Sequence, residues 1–291
     1  MQTNNSTLEN ISETLLDAFI DAALREDVKD GDHTSLACID PEARDKAQLI
    51  VKDEGVIAGI DFARKVFEKV DTSFEFKSFI KDGDEVKFGD VAFEVECGSQ
   101  ALLKAERLVL NAMQRLSGVA SMSRKYAKLV EDLPVTVLDT RKTTPLMRFL
   151  EKWAVRQGGC SNYRDGLYDW IMIKDNHVEA CGSVTKAIQK VKAYLNDTGK
   201  NLNITVEVRD FDELQEAMNE GGIKRIMLDN FKLEDLHKAV QHIGDQFESE
   251  ASGGVNYNTL RPIAETGVQF ISVGALTHSA GSLDMSLKIK K

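Results

Sequence analysis

The sequence predicts an α/β protein built around a parallel sheet, and three observations carry that prediction. Six short β-type runs follow one another from Val135 onward: Val135 to Asp139, Trp170 to Ile173, Ile204 to Val208, Arg225 to Leu228, Phe247 to Glu250 and Gln269 to Val273. Successive runs end about 20 to 35 residues apart, which leaves room for a crossover helix each time. Polar or glycine-rich residues stand at or just beyond the end of every run, where ligands bind in barrels and open α/β sheets alike. Six such units fit a parallel sheet that is either open or closed.

Length and composition bound the rest. A chain of 291 residues, 42% hydrophobic and 29% charged, suffices for one large or two ordinary domains with real cores. The start, MQTNNSTLEN, lacks the cationic and apolar pattern of a secretory signal, and no apolar run reaches the ~18 residues of a bilayer span. A cytoplasmic protein that engages no membrane is therefore expected. The formal net charge of -10 excludes a basic nucleic-acid footprint, so any bound anion must be met by a local cluster. Four cysteines, Cys38, Cys97, Cys160 and Cys181, form no CxxC pair, which points to reduced thiols rather than a zinc cage or disulfide framework.

Ahead of the β/α series the chain reads as a mixture. Residues 7 to 24 carry Leu15, Leu16, Phe19, Ile20 and Leu24 at helical spacing, which predicts an amphipathic first helix. Gly31-Asp32 reads as a bend before a strand, AQLIVKDEGVIAG as two β pieces around Gly55, and residues 61 to 70 as helix. FKSFIKDGDEVKFGDVAFEVECG predicts short strands with turns at Gly83-Asp84 and Gly89-Asp90. Such a hairpin also suits a swinging-arm carrier, but the lysine that a carrier presents after that strand is missing. Ala101 to Val130 is a long helical pattern with Arg107, Asn111 and Arg115 spaced four apart on one face. Within the first β-α-β unit, Pro145 opens a helical segment after two threonines that can cap it, and Gly158 and Gly159 close it.

The chemistry collects at the strand ends. Arg141 and Arg164 can each grip a carboxylate or phosphate through a planar fork, whereas Lys142 and Lys174 act as mobile point charges. Any one of them alone reads equally well as a surface cation paired with a nearby acid; together they point to a polyanionic small ligand. Ser252-Gly253-Gly254, before a helical pattern near Asn256, and Gly274 after QFISV are small enough for backbone N–H groups to cradle a phosphate. Glu207 and Asp229 could hold a hard divalent cation together with phosphate oxygens, or bind sugar hydroxyls; strand-end capping is the plainer alternative. A Schiff-base aldolase using Lys174 is a reading from another enzyme class.

These residues carry a specific resemblance. DTRKTTP, LEKWAV, GGCSNYRDGL, IKDNHV, VEV, MLDN, EASGG and SVGALTHS occur in the order seen in quinolinate phosphoribosyltransferases, and LREDVKDGDHTS and AERLVLNAMQRLSG upstream also resemble that family. The resemblance covers essentially the whole chain. It implies an N-terminal α/β sandwich over residues 1–115, rejoined by a tail over 278–291, and an incomplete TIM-like β/α barrel over 116–277. It implies transfer from phosphoribosyl pyrophosphate to quinolinate with Mg2+, giving nicotinate mononucleotide, pyrophosphate and carbon dioxide, and at least a homodimer in which Arg107 reaches the neighbouring subunit's site.

By the same resemblance, quinolinate contacts map onto Arg141, Arg164 and Lys174, beside Thr140 and Tyr163. Contacts to phosphoribosyl pyrophosphate map onto Lys142, Glu207, Asp229, Ser252, Gly253 and Gly274, and Gly254 beside them is also an expected substrate-binding residue. Lys142, Lys174, Glu207 and Asp229 are the expected catalytic set, with Glu207 and Asp229 toward the metal. The family usually carries His-Arg where this chain has Tyr163-Arg164, and a glycine where Cys160 stands. A tyrosine keeps one hydrogen bond but no charge at neutral pH. A paralogue acting on another anionic aromatic substrate is the nearest competing function.

Overall fold

The structure is a computed structural model that describes Leu8 and residues 11–290. The chain divides into two compact units. One comprises Met1–Lys125, Thr144–Gly159 and Ser279–Lys291, the other Tyr126–Thr143 and Cys160–His278.

In the first unit the elements begin with α1 (Glu13–Val28), α2 (His33–Cys38), β1 (Arg44–Val51), β2 (Gly55–Val56) and α3 (Ile60–Val70). They continue with β3 (Glu75–Ser78), β4 (Glu85–Val86), β5 (Val91–Gly98) and the long α4 (Ser99–Lys128). The amphipathic first helix is present with Leu16 and Ile20 buried, but it starts at Glu13 and runs on to Val28; positions 7, 9 and 10 of the expected span lie outside the described residues. The expected strand after Gly31-Asp32 is instead α2. The Asp32 carboxylate accepts the Ser35 N–H at 3.1 Å, and this cap turns the chain into a helix.

β1, β5 and β3 form an antiparallel sheet that the chain's last strand, β12 (Met285–Ile289), completes in the order β12-β1-β5-β3. β1 alternates buried and half-buried positions along Ala47, Leu49 and Val51, as a half-covered strand must. α3 packs on this sheet through Phe67, which meets Phe93 edge-on at 6.2 Å. The glycine-aspartate turns form as expected. Gly83 and Gly89 take φ of 93° and 91°, and the carboxylates of Asp84 and Asp90 accept the N–H groups of Lys81 and Lys87. With β5 paired on both sides, this segment belongs to a sheet rather than to a free carrier hairpin.

α4 explains the run LSGVAS. Ser117 and Ser121 place hydroxyls 2.8 Å from the N–H groups of Ala58 and Val56, and a Cβ on Gly118 would lie 1.7 Å from the Gly281 carbonyl oxygen. The tail therefore returns against bare helix backbone. The same unit holds the crossover helix α5 (Arg148–Gln157), which begins three residues after Pro145. The Glu151 carboxylate, fully buried in it, accepts bonds from the Thr144 N–H, the Thr144 hydroxyl and the Arg115 guanidinium. Arg115, also bonded to the Ala280 carbonyl, is thus a structural anchor.

The second unit is the β/α series: β6 (Thr136–Leu138), β7 (Ile171–Ile173), α6 (Asp175–Cys181), α7 (Val184–Thr198), β8 (Ile204–Val208), α8 (Phe211–Glu220) and β9 (Arg225–Asp229). α9 (Leu233–Ile243), β10 (Glu248–Ser252), α10 (Leu260–Ala264), β11 (Phe270–Ser272) and α11 (Ala275–His278) follow. All six strands are parallel, in the order β6-β11-β10-β9-β8-β7. The order runs round a barrel in chain sequence, yet β6 and β7 do not pair, so the barrel is incomplete. One isolated bridge, Leu138 to Ser161, stands near the gap.

Side-chain alternation sorts the strand residues. Glu207 and Thr205 share one face of β8, Arg225, Met227 and Asp229 one face of β9, and Glu248, Glu250 and Ser252 one face of β10; register pairs Asp229 with Ser252 and Arg225 with Glu248. Polar groups therefore line the sheet at both ends. At the amino ends of the strands Arg225 binds Glu248 and Glu250 and lies 3.7 Å from the Phe270 ring centroid.

Candidate active site

The carboxyl ends of the strands bring most of the expected residues together. After β6, the Thr140 hydroxyl accepts the Lys142 N–H at 3.1 Å, and the next residue from the strand, Arg141, has its Nε buried without a hydrogen-bond partner. A buried N–H left unpaired within the fold is a donor that a ligand could use. Arg164 holds the Trp170 carbonyl through one Nη at 3.1 Å. Burial, and after it the like charge of Arg141, keeps the Arg164 guanidinium below its ordinary pKa. Both forks stand past the carboxyl ends of the strands, and each has the geometry to pair with an acidic group.

Lys174, at the end of β7, points its ammonium to Glu207 on β8 at 3.1 Å. Asp229 ends β9 and accepts the Ser252 hydroxyl at 2.7 Å and the Asn230 amide at 2.6 Å. These bonds align the carboxylate while leaving lone pairs for a further donor. Among the described residues no group of three or more His, Cys, Asp or Glu side chains could hold a metal ion.

The glycines are there for close approach. Gly253 has φ of 86° and a Cβ on it would sit 2.2 Å from Asn230 Oδ1. A Cβ on Gly274 would lie 3.1 Å from Lys142 Cδ and 3.0 Å from the His278 ring. The helix expected near Asn256 begins only at Leu260, after a turn in which the Asn256 side chain accepts two backbone N–H groups. The N–H groups of Gly253 and Gly254 therefore do not stand at a helix terminus.

Three placements differ in kind. The Tyr163 hydroxyl is bonded to Thr205 Oγ1 at 2.6 Å, its ring meets Trp170 edge-on, and burial raises its pKa, so it stays a neutral phenol. Arg107 lies on α4 in the other unit, exposed. Cys160 is buried. His278 was not singled out from the sequence, although its position four residues after Gly274 in GALTH returns it beside that glycine and Lys142 through one helical turn.

The structure is an incomplete parallel β/α barrel that carries arginines, lysines, two carboxylates and glycines at the carboxyl ends of its strands, the arrangement of a candidate transferase site. Residues 32–117 match the N-terminal domain, and residues 119–288 the C-terminal domain, of quinolinate phosphoribosyl transferase. The chain belongs to the quinolinate phosphoribosyltransferase family. It is 41% identical over 289 residues to quinolinate phosphoribosyltransferase (decarboxylating) 1b of Nicotiana tabacum, covering 94% of this chain and 82% of that one. It is 42% identical over 289 residues to the chloroplastic nicotinate-nucleotide pyrophosphorylase (carboxylating) of Oryza sativa subsp. japonica, covering 94% and 77%. The crystal structure of NadC from Streptococcus pyogenes superposes with a TM-score of 0.90 at 38% identity, covering 97% of this chain and 99% of that one.

Proposed function

We propose that this protein transfers the phosphoribosyl group of phosphoribosyl pyrophosphate to the ring nitrogen of quinolinate, releasing pyrophosphate and carbon dioxide and giving nicotinate mononucleotide. The observation that carries this reading is the Arg141–Arg164 pair, one Nε buried and unpartnered, in a family member with net charge -10. Two adjacent forks match two adjacent ring carboxylates, and Lys174 adds a third cation.

The reaction asks for positioning and charge screening. The ring nitrogen attacks the anomeric carbon as the C–O bond to pyrophosphate breaks, and Lys142 with the N–H groups at Gly253, Gly254 and Gly274 meets the negative charge that leaves. Asp229, aligned by Ser252 and Asn230, and Glu207, aligned by Lys174, accept from ribose hydroxyls. Bond formation precedes decarboxylation, because the cationic ring nitrogen then stabilises the electron pair left on C2 when carbon dioxide departs; a proton replaces it.

Glu207 and Asp229 are already bonded within the site and form no cage, which fits a magnesium ion that arrives on the substrate's own phosphates. When bound, Mg2+ would neutralise the pyrophosphate leaving group. We further propose a homodimer in which Arg107, exposed on α4, completes the neighbouring subunit's site, in a cytoplasmic enzyme. Four cysteines with no CxxC spacing suit a reducing compartment, and among the described residues no helix is long and apolar enough to cross a membrane.

Incubation with quinolinate, phosphoribosyl pyrophosphate and Mg2+ tests the assignment. Nicotinate mononucleotide and carbon dioxide should form in equal amounts; nicotinic acid accepted in place of quinolinate refutes it. Mixing inactive Arg107→Ala and Lys174→Ala proteins should restore partial activity through hybrid dimers. No recovery despite proven subunit exchange counts against the shared site.

A further inference from the structure

The barrel's gap between β6 and β7 is crossed by side chains. Backbone bonding supplies only the short bridge, with the Asp139 N–H on the Ser161 carbonyl at 3.0 Å and the Ser161 N–H on the Val137 carbonyl at 2.9 Å. The Asp139 carboxylate, fully buried, then accepts two bonds from the segment beyond: the Tyr163 N–H at 2.8 Å and the Asn162 amide at 2.6 Å. From the other side, Thr205 Oγ1 on β8 bonds the Tyr163 hydroxyl at 2.6 Å and accepts the Trp170 indole N–H at 2.9 Å. The residue immediately before Arg164 is held by its backbone to β6 and by its side chain to β8.

We propose that Asp139 and Tyr163 are positioning residues, which clamp the Ser161–Arg164 segment across the barrel's open edge and hold the Arg164 guanidinium against the like charge of Arg141. Two guanidinium groups that repel each other drift apart unless their backbones are tied, and a fork fixed before binding loses less freedom when a dicarboxylate arrives. The tyrosine that replaces the family's usual histidine thus serves as a strut to Thr205. This inference rests on reading Arg164 as a quinolinate-binding residue.

The test uses the full-length protein with Asp139→Asn, Tyr163→Phe and the exchange Asp139→Asn/Asn162→Asp. In Asp139→Asn two amide donors face each other, and the KM for quinolinate should rise about tenfold, the usual order for one buried donor left unpaired. Tyr163→Phe keeps the ring and loses one hydroxyl, so a rise of about threefold is expected. The KM for phosphoribosyl pyrophosphate should stay within about twofold, and the exchange, which restores one donor to one acceptor, should recover most of the loss. A purely structural role would move both KM values together with thermal stability, and that result, or an unchanged quinolinate KM, overturns the clamp. Should Asp139→Asn fail to fold, Tyr163→Phe carries the same test. If the unmodified protein does not convert quinolinate, the functional reading itself has failed. The clamp is then judged by amide exchange at residues 161–164, which should quicken in Tyr163→Phe; unchanged exchange refutes it.

Discussion

Gly253 and Gly254 are neighbours with the same backbone handedness and opposite surroundings, which makes them a matched pair. Their φ values are 86° and 63°, so alanine at either costs about 1–2 kcal/mol for a left-handed conformation. At Gly254 nothing lies within 4 Å of the added carbon, and the cost ends there. At Gly253 the carbon would stand 2.2 Å from Asn230 Oδ1 and 2.4 Å from Asn230 Cγ. Asn230 must move, and its 2.6 Å bond to the Asp229 carboxylate goes with it. A hydrogen bond to a charged group contributes about 1.5–3 kcal/mol, which brings Gly253→Ala to roughly 3–5 kcal/mol. At about 2–4 °C per kcal/mol for a unit of this size, scanning calorimetry should show Gly253→Ala melting roughly 10 °C lower and Gly254→Ala only a few degrees lower. The KM for phosphoribosyl pyrophosphate should rise more in Gly253→Ala, since Asp229 loses its alignment. Equal losses in the two variants, or a larger loss at Gly254, would refute the reasoning.

Other perturbations separate chemistry from stability. Lys174→Ala should lower kcat/KM by about a hundredfold or more while shifting the melting temperature by only a few degrees, because the lysine end of its ion pair with the buried Glu207 is half exposed; a larger melting shift would make it a structural pair. Gly118→Ala should prevent the tail from docking on α4, since its Cβ would lie 1.7 Å from the Gly281 carbonyl oxygen, and normal stability in that variant would contradict the packing. Asp82 accepts the N–H groups of Gly59, Ile60 and Asp61 at the start of α3, yet burial pushes its carboxyl up to about 6. The native state therefore holds this proton more tightly than the unfolded chain. The stability it contributes is fully present below the unfolded value and is lost as pH rises toward 6. Denaturant melts should show the unmodified protein gaining on Asp82→Asn as pH falls from 7 to 4.5, by at most about 1.4 kcal/mol per pH unit; a gain in the opposite direction would be incompatible with the burial effect.

The strands of the barrel were legible because each sets an apolar run against a charged or glycine-rich end; Ile204–Val208 matches the expected span residue for residue. β10 was read two residues short, since ESEAS alternates polar inward positions and offers no apolar run to follow. α2 was missed because six residues carry little periodicity and Asp32 reads equally as a turn residue and a cap. α5 joins the first unit through long-range pairings such as Glu151 with Arg115, across thirty-six positions, which no local pattern encodes. Among the candidate site residues, the cations and glycines stand at strand ends in the sequence as they do in the structure. The role of Asp139 did not, because an aspartate closing an apolar run looks the same whether it faces solvent or is fully buried, as it is here.

The two ends of the parallel sheet show why residue type alone could not separate binding from structure. Arg225 opens β9 and is as buried as a core residue, but Glu248 and Glu250 neutralise it and three aromatic rings surround its guanidinium. Arg141 follows the opposite end of the sheet and keeps a buried Nε with no hydrogen-bond partner. Both are arginines near strand termini, yet one has its charge and its donors satisfied within the fold while the other does not. In a protein of net charge -10, distant acids oppose an approaching anion, and binding must come from short-range groups that the fold has left incompletely paired. Removing Glu250 from Arg225 would strand a buried cation at great cost to stability, because among the described residues the charge has no other place to be neutralised than its two glutamates. What sets the carboxyl end apart is therefore unspent hydrogen-bonding capacity, a property of pairing that emerges only when the strands are brought into register.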